Sequence, residues 1–142
     1  MVERKHKIFI AEDDVFISEQ LKEILLELGY EVARIGFDYN SSVEVLSNEK
    51  VDMAILDINM HGVEQGFQIA KYINDNLKIP FVFLTSFSDD ETVSEAVSYN
   101  PAGYLIKPFN ERDIFSTLKL TLSKTEQEAA KLIVKDGRDS IP

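Results

Sequence analysis

The chain has 142 residues, 44% of them hydrophobic and 28% charged, which suits one compact domain and leaves little room for two. A net charge of −10 argues against nucleic-acid binding by this segment, because the basic cluster Arg4, Lys5 and Lys7 is too small to offset it. The absence of cysteine excludes disulfides and thiolate metal sites, and no apolar run approaches the ~18 residues that span a bilayer.

Strand-length apolar runs alternate with helical patterns along the chain. Ile8-Phe-Ile-Ala11 reads as a buried strand, stopped by Glu12-Asp13-Asp14. Val15 to Leu28 places Ile17, Leu21, Ile24, Leu25 and Leu28 on one helical face, with Gly29 at the expected C-cap. Glu31 to Ile35 reads as a second strand, and Ser41 or Ser42 as the cap of a short helix turning Val43 and Leu46 inward. Met53-Ala-Ile-Leu56 is a third strand ending at Asp57, followed by a helix over Gly66 to Ile73 with Phe67, Ala70 and Ile73 inward. Phe81-Val-Phe-Leu84 is a fourth strand ending at Thr85, and Asp89 to Ser98 a helix with the weak apolar face Val93, Ala96, Val97. Gly103-Tyr-Leu-Ile106 is a fifth strand ending at Lys107-Pro108. Asn110 to Asp113 then resembles a capped helix start, with Ile114, Leu118 and Leu122 at i+4 intervals.

Five strand–helix units with near-continuous apolar strands predict an α/β fold, a doubly wound parallel sheet covered on both faces. In such a sheet ligands bind outside the carboxyl ends of the strands. Glu12 and Asp13, Asp57, Thr85 and Lys107 stand at four of those ends, so distant residues converge on one cleft. Singly, each has a plain alternative: turn or cap residues for the acids, a strand-end threonine, a solvated lysine. Together they suit phosphoryl chemistry. Clustered hard-oxygen donors call for a cation such as Mg²⁺, a carboxylate can attack a phosphoryl group, and a hydroxyl and a lysine can hold the phosphoryl oxygens.

The segments Ala11-Glu-Asp-Asp14, Leu56-Asp-Ile58, Leu84-Thr-Ser86 and Gly103-Tyr-Leu-Ile-Lys-Pro-Phe109 resemble the CheY-like receiver domains of two-component response regulators, over roughly residues 6 to 124. The resemblance implies a flavodoxin-like (βα)5 sheet in the order 2-1-3-4-5. It implies that Asp57 accepts a phosphoryl group from a sensor histidine kinase or phosphotransfer protein, with Mg²⁺ or Mn²⁺ as cofactor. Asp13 and Asp57 then bind the metal, Glu12 assists through water, and Asn59 offers its backbone carbonyl. Thr85 and Lys107 stabilise the phosphoryl group, Thr85 and Tyr104 form the switch, and the bond before Pro108 is cis. Asn59 and Phe87 flank the path of the attacking water. Tyr104 is otherwise a half-buried strand aromatic. One loop departs from the commonest pattern: His61 stands where receivers often have proline, and Met60 to Gly66 carries one extra residue, which leaves the loop's shape open. His61 reads as an exposed loop histidine beside the cleft, and His6 has no role.

The division expected is a receiver over residues 1–124 and an extended helix or linker tail over 125–142. Leu118, Leu122, Thr125, Ala129 and Leu132 continue a seam-like spacing, whereas Lys131 to Asp139 reads as a short apolar strand and a turn. That stretch faintly resembles the opening of a LytTR-type DNA-binding output domain, which would continue beyond this sequence; a self-contained single-domain regulator is the rival. The protein is expected to be cytoplasmic, with no nucleic acid or membrane bound by this domain. The face of helix 4, strand 5 and helix 5 is the candidate surface for a homodimer. It is expected to be a switch with slow autodephosphorylation, not a turnover enzyme. A haloacid-dehalogenase-type phosphatase also uses an aspartyl-phosphate, but needs a second acid where Asn59 stands. A receiver-like interaction module without chemistry is the third reading.

Overall fold

The computed structural model describes residues 5–86 and 90–139, with only the backbone described over 132–139. Ten elements alternate: β1 (Lys7–Ala11), α1 (Val15–Glu27), β2 (Glu31–Val32), α2 (Tyr39–Asn48), β3 (Met53–Asp57), α3 (Gln65–Asn76), β4 (Phe81–Thr85), α4 (Asp90–Ser98), β5 (Gly103–Ile106) and α5 (Glu111–Asp139). The five strands form one sheet in the order β2-β1-β3-β4-β5, and every pairing is parallel.

Alternate strand residues feed two cores. Phe9, Ala54, Leu56, Phe81 and Phe83 meet the side chains of α2, α3 and α4. Ile8, Ile10, Met53, Ile55, Val82, Leu84 and Leu105 meet Leu21 and Leu25 of α1 and Ile114, Leu118 and Leu122 of α5. Two-sided burial is why the strands read as unbroken apolar runs. Chain direction then delivers every strand's carboxyl end to the same edge of the sheet.

Several boundaries differ from the sequence expectations. β2 is a two-residue edge strand rather than five; its continuation still bonds to β1, through Gly36 N–H to the Ile10 carbonyl at 2.9 Å. The cap of α2 is Asp38, not Ser41 or Ser42. Asp38 accepts from Ser41 N–H at 2.7 Å, and the Ser41 hydroxyl accepts from Asp38 N–H at 3.2 Å, a reciprocal box that begins the helix earlier. Val45 takes the buried place expected of Val43, which is half-buried. α1 ends as expected: Gly29 has φ 96°, and Tyr30 N–H reaches the Leu25 carbonyl at 3.0 Å. Asp89, expected to begin α4, lies outside the described residues, as do Phe87 and Arg4.

The expected strand and turn over Lys131 to Asp139 are absent; α5 runs unbroken through Asp139, 29 residues in all. Extending a formed helix adds one hydrogen bond per residue fixed, while a lone strand needs an edge to pair with. The stretch Glu126-Gln-Glu-Ala-Ala-Lys131 also favours helix strongly. No helix is long and apolar enough to cross a membrane among the described residues.

Candidate functional site

The expected residues are assembled by the ends of four strands. The acidic run after β1 divides its tasks. Asp14 caps α1, its Oδ1 accepting from Ile17 N–H at 3.1 Å, and its own N–H donates to Glu12 Oε1 at 3.1 Å. Glu12 is thereby turned inward and buried, and Asp13 stands at the rim. Asp57 ends β3 and is 4% exposed. The chain just past it is held by Ile58 N–H donating to the Leu84 carbonyl at 3.1 Å.

Each of Glu12, Asp13 and Asp57 offers one carboxylate oxygen, and these three oxygens lie within 4.8 Å of one another. Lys107, beyond β5, reaches into the same space: its Nζ is 3.1 Å from Glu12 Oε2 and 3.4 Å from Asp57 Oδ2. The contact with Glu12 Oε2 is an ion pair without hydrogen-bond alignment, which leaves a buried carboxylate oxygen short of a donor. Lys107 N–H donates to the Thr85 carbonyl at 2.7 Å, locking the end of β5 to the end of β4. The Lys107–Pro108 bond is cis.

Three acids against one lysine leave excess negative charge. Burial, then the neighbouring carboxylate of Glu12, push Asp57 up to about 8, with Lys107 opposing. Burial alone would lower Lys107, but the charges of Asp57 and Glu12 outweigh it and hold the ammonium above the usual lysine value. Hard oxygens in surplus with one unsatisfied carboxylate atom are a donor set that fits a small divalent cation such as Mg²⁺ or Mn²⁺.

Thr85 is buried at the end of β4, beside the pocket. On its far side lies a cavity of about 210 Å³ walled by Thr85, Ile58, Ala96, Tyr104 and Ile106. Tyr104 is 38% exposed, so its ring lies partly out of the sheet surface. Asn59 is exposed between β3 and the loop that follows.

That loop, open in sequence, is a tight hairpin. Met60 and Val63 exchange main-chain hydrogen bonds at 2.9 and 3.1 Å around His61 and Gly62, whose φ values are 55° and 75°. His61 N–H donates to Asp13 Oδ2 at 3.0 Å. Gly66 enters α3 against the strand end: a Cβ there would lie 2.2 Å from the Asp57 carbonyl oxygen. Sequence reasoning missed the contacts of Gln65, whose Oε1 accepts from Tyr39 N–H at 2.6 Å. The one available signal was its place just before Gly66. His6, given no role, bonds Glu126 of α5 through Nε2 at 3.1 Å.

A family model described as the response regulator receiver domain matches residues 8–119. The chain is 32% identical over 124 residues to the transcriptional regulatory protein PdtaR of Mycobacterium tuberculosis, covering 87% of this chain and 60% of that protein. It is 33% identical over 115 residues to the transcriptional regulatory protein CrdR of Helicobacter pylori, covering 80% and 53%. The chain thus spans little more than half the length of these curated relatives. Among solved structures, the signal receiver domain of a modulated diguanylate cyclase from Desulfovibrio desulfuricans G20 superposes with a TM-score of 0.81 at 27% identity, over 88% of this chain and 99% of that one. Chemotaxis protein CheY4 of Vibrio cholerae gives a TM-score of 0.76 at 27% identity, over 84% and 100%.

Proposed function

Because this chain belongs to the response regulator receiver family, we propose that it is a phosphorylation switch whose acceptor is Asp57. The observation that carries this reading is the convergence of Glu12, Asp13, Asp57 and Lys107 in one partly buried cluster at the carboxyl ends of the strands. Asp57 Oδ attacks phosphorus, the P–O bond forms as the P–N bond to a kinase phosphohistidine breaks, and the imidazole leaves with the electron pair. Lys107 stays charged through the transfer and moves from its carboxylate partners to the incoming phosphoryl oxygens. Thr85 donates its hydroxyl to one of those oxygens. Asp13, Asp57 and the Asn59 carbonyl would hold Mg²⁺ or Mn²⁺, with Glu12 acting through water, and the bound cation would supply positive charge against the phosphoryl oxygens.

The same geometry supports a switch. Drawing Thr85 towards Asp57 enlarges the apolar cavity behind it, and the half-exposed Tyr104 ring turns in to fill it. This remodels the face of α4, β5 and α5, where Val93, Val97, Ile106 and Phe115 are exposed. That face is the candidate homodimer surface. Residues 1–124 make up the receiver, and 125–142 a tail that is helical through Asp139. Its relatives are transcriptional regulators about one and a half times as long, which favours a DNA-binding output domain, LytTR-like or other, in a regulator that acts in the cytoplasm. The partner upstream is a sensor histidine kinase or phosphotransfer protein, and autodephosphorylation is slow, without substrate turnover.

The test is an intact-mass spectrum after incubation with acetyl phosphate and Mg²⁺, beside Asp57→Asn. One phosphoryl group gained by the wild type alone is the expected result. Equal uptake by both, or none by a folded, Mg²⁺-loaded wild type, would sink the reading.

A further inference from the structure

The hairpin after β3 is the part of the pocket rim that the chemistry above leaves without a task. Its tip is conformationally costly. Glycine accepts φ 75° freely, but His61 at φ 55° has its Cβ crowded against its own backbone, a cost on the order of 1 kcal/mol. Asparagine or glycine would form this turn more easily.

The tip holds two hydrogen bonds in return, with one longer approach beside them. The main-chain N–H of His61 donates to Asp13 Oδ2 at 3.0 Å. Its ring Nδ1 lies 3.8 Å from the same oxygen. Its ring Nε2 lies 2.9 Å from the Phe37 carbonyl, and since a carbonyl only accepts, Nε2 is the protonated nitrogen there. One residue therefore ties the rim carboxylate to the hairpin and the hairpin to the loop after β2. Gln65 braces the same two loops from the other side, accepting from Tyr39 N–H at 2.6 Å and donating to the Met60 carbonyl at 3.2 Å. The His61 ties are at the surface, where its side chain is 55% exposed, so core packing does not require them. They hold one oxygen of Asp13, a carboxylate that belongs to the three-acid cluster.

We propose that His61 is a positioning residue for the cation site, holding Asp13 through its main-chain N–H and holding the hairpin in register through its ring. The inference rests on the metal-binding role proposed for Asp13. Groups that orient a metal's ligands without touching the metal are commonly worth ten- to a hundredfold in affinity.

The test is Mn²⁺ binding to the full chain, read from the paramagnetic resonance signal of free Mn²⁺, in wild type, His61→Gly, His61→Pro and Asp13→Asn. Glycine keeps the turn and the N–H but loses the ring; proline loses the N–H and cannot reach positive φ. The expected result is a dissociation constant raised about threefold in His61→Gly and about tenfold in His61→Pro. The denaturant midpoint of His61→Gly in EDTA should match or exceed the wild type. That separates positioning from a merely structural role, which would lower the midpoint and leave Mn²⁺ affinity alone. Wild-type affinity in both His61 variants, with binding lost in Asp13→Asn, would overturn the inference alone. Undiminished binding by Asp13→Asn would overturn the metal-site reading and this inference with it.

Discussion

Asp57 is buried beside Glu12, and both crowd one ammonium, so its ionisation works against folding. Its carboxyl is pushed up to about 8 in the folded chain, from the ~3.9 of an unfolded one. A raised folded value means that the stability it contributes is complete below about pH 4 and is lost as pH climbs through about 8. Asp57→Asn cannot ionise. In EDTA its stability should match the wild type near pH 4 and exceed it by on the order of 2 kcal/mol near pH 8, as urea unfolding across that range would read. Divalent metal should act in the opposite sense. Mg²⁺ at ten to a hundred times its dissociation constant should stabilise the wild type by about 1.4 to 2.7 kcal/mol and Asp57→Asn by much less, measurable by calorimetry. The acids and the lysine were legible because each follows an apolar run, and parallel topology brings such positions together. The ties of His61 and Gln65 were not, since they join loops 24 and 26 positions apart without any periodic pattern.

At the level of elements, the pocket depends on how closely α3 approaches the end of β3. Gly66 N–H donates to the Ile58 carbonyl at 3.0 Å, and a methyl group at Gly66 would meet backbone atoms of Asp57 and Ile58 rather than a side chain that can swing away. Gly66→Ala should therefore cost about 3 kcal/mol by denaturant unfolding and slow phosphoryl uptake, because the relief available is to shift Asp57 itself. The central strands β1, β3 and β4 could be read from the sequence because burial on both faces makes each an apolar run, whereas β5 kept an apolar run although Tyr104 and Ile106 are exposed. The short β2 was overextended since an edge strand's length is set by pairing, which composition does not record. The cap of α2 was misplaced by a turn because Asp38 and Ser41 act as a pair, and either alone looks like a cap. The end of α5 was misread as a strand because Leu132-Ile-Val134 favours extended structure locally, while the helix before it was already formed.

For the molecule as a whole, Leu122 is the last residue of α5 buried in the core among the described side chains, and residues 124–131 are exposed. The pair His6–Glu126 is a surface contact, with side chains 29% and 66% exposed. Ending the chain after Lys124 should thus change unfolding free energy by no more than about 0.5 kcal/mol, checked by urea titration. A loss of several kcal/mol would mean that the tail belongs to the folding unit. The continuity of α5 has a mechanical consequence. Its first three turns lie against β5, and from Lys124 onward the helix runs roughly 24 Å past its last core contact at 1.5 Å per residue, held only by surface contacts such as His6–Glu126 among the described residues. A rod clamped at one end converts angle into travel: a tilt of about 10° at the root would sweep its tip sideways by about 4 Å. Adjustments at the pocket too small to alter the sheet would arrive at the far end of the rod as a displacement about as wide as a methyl group.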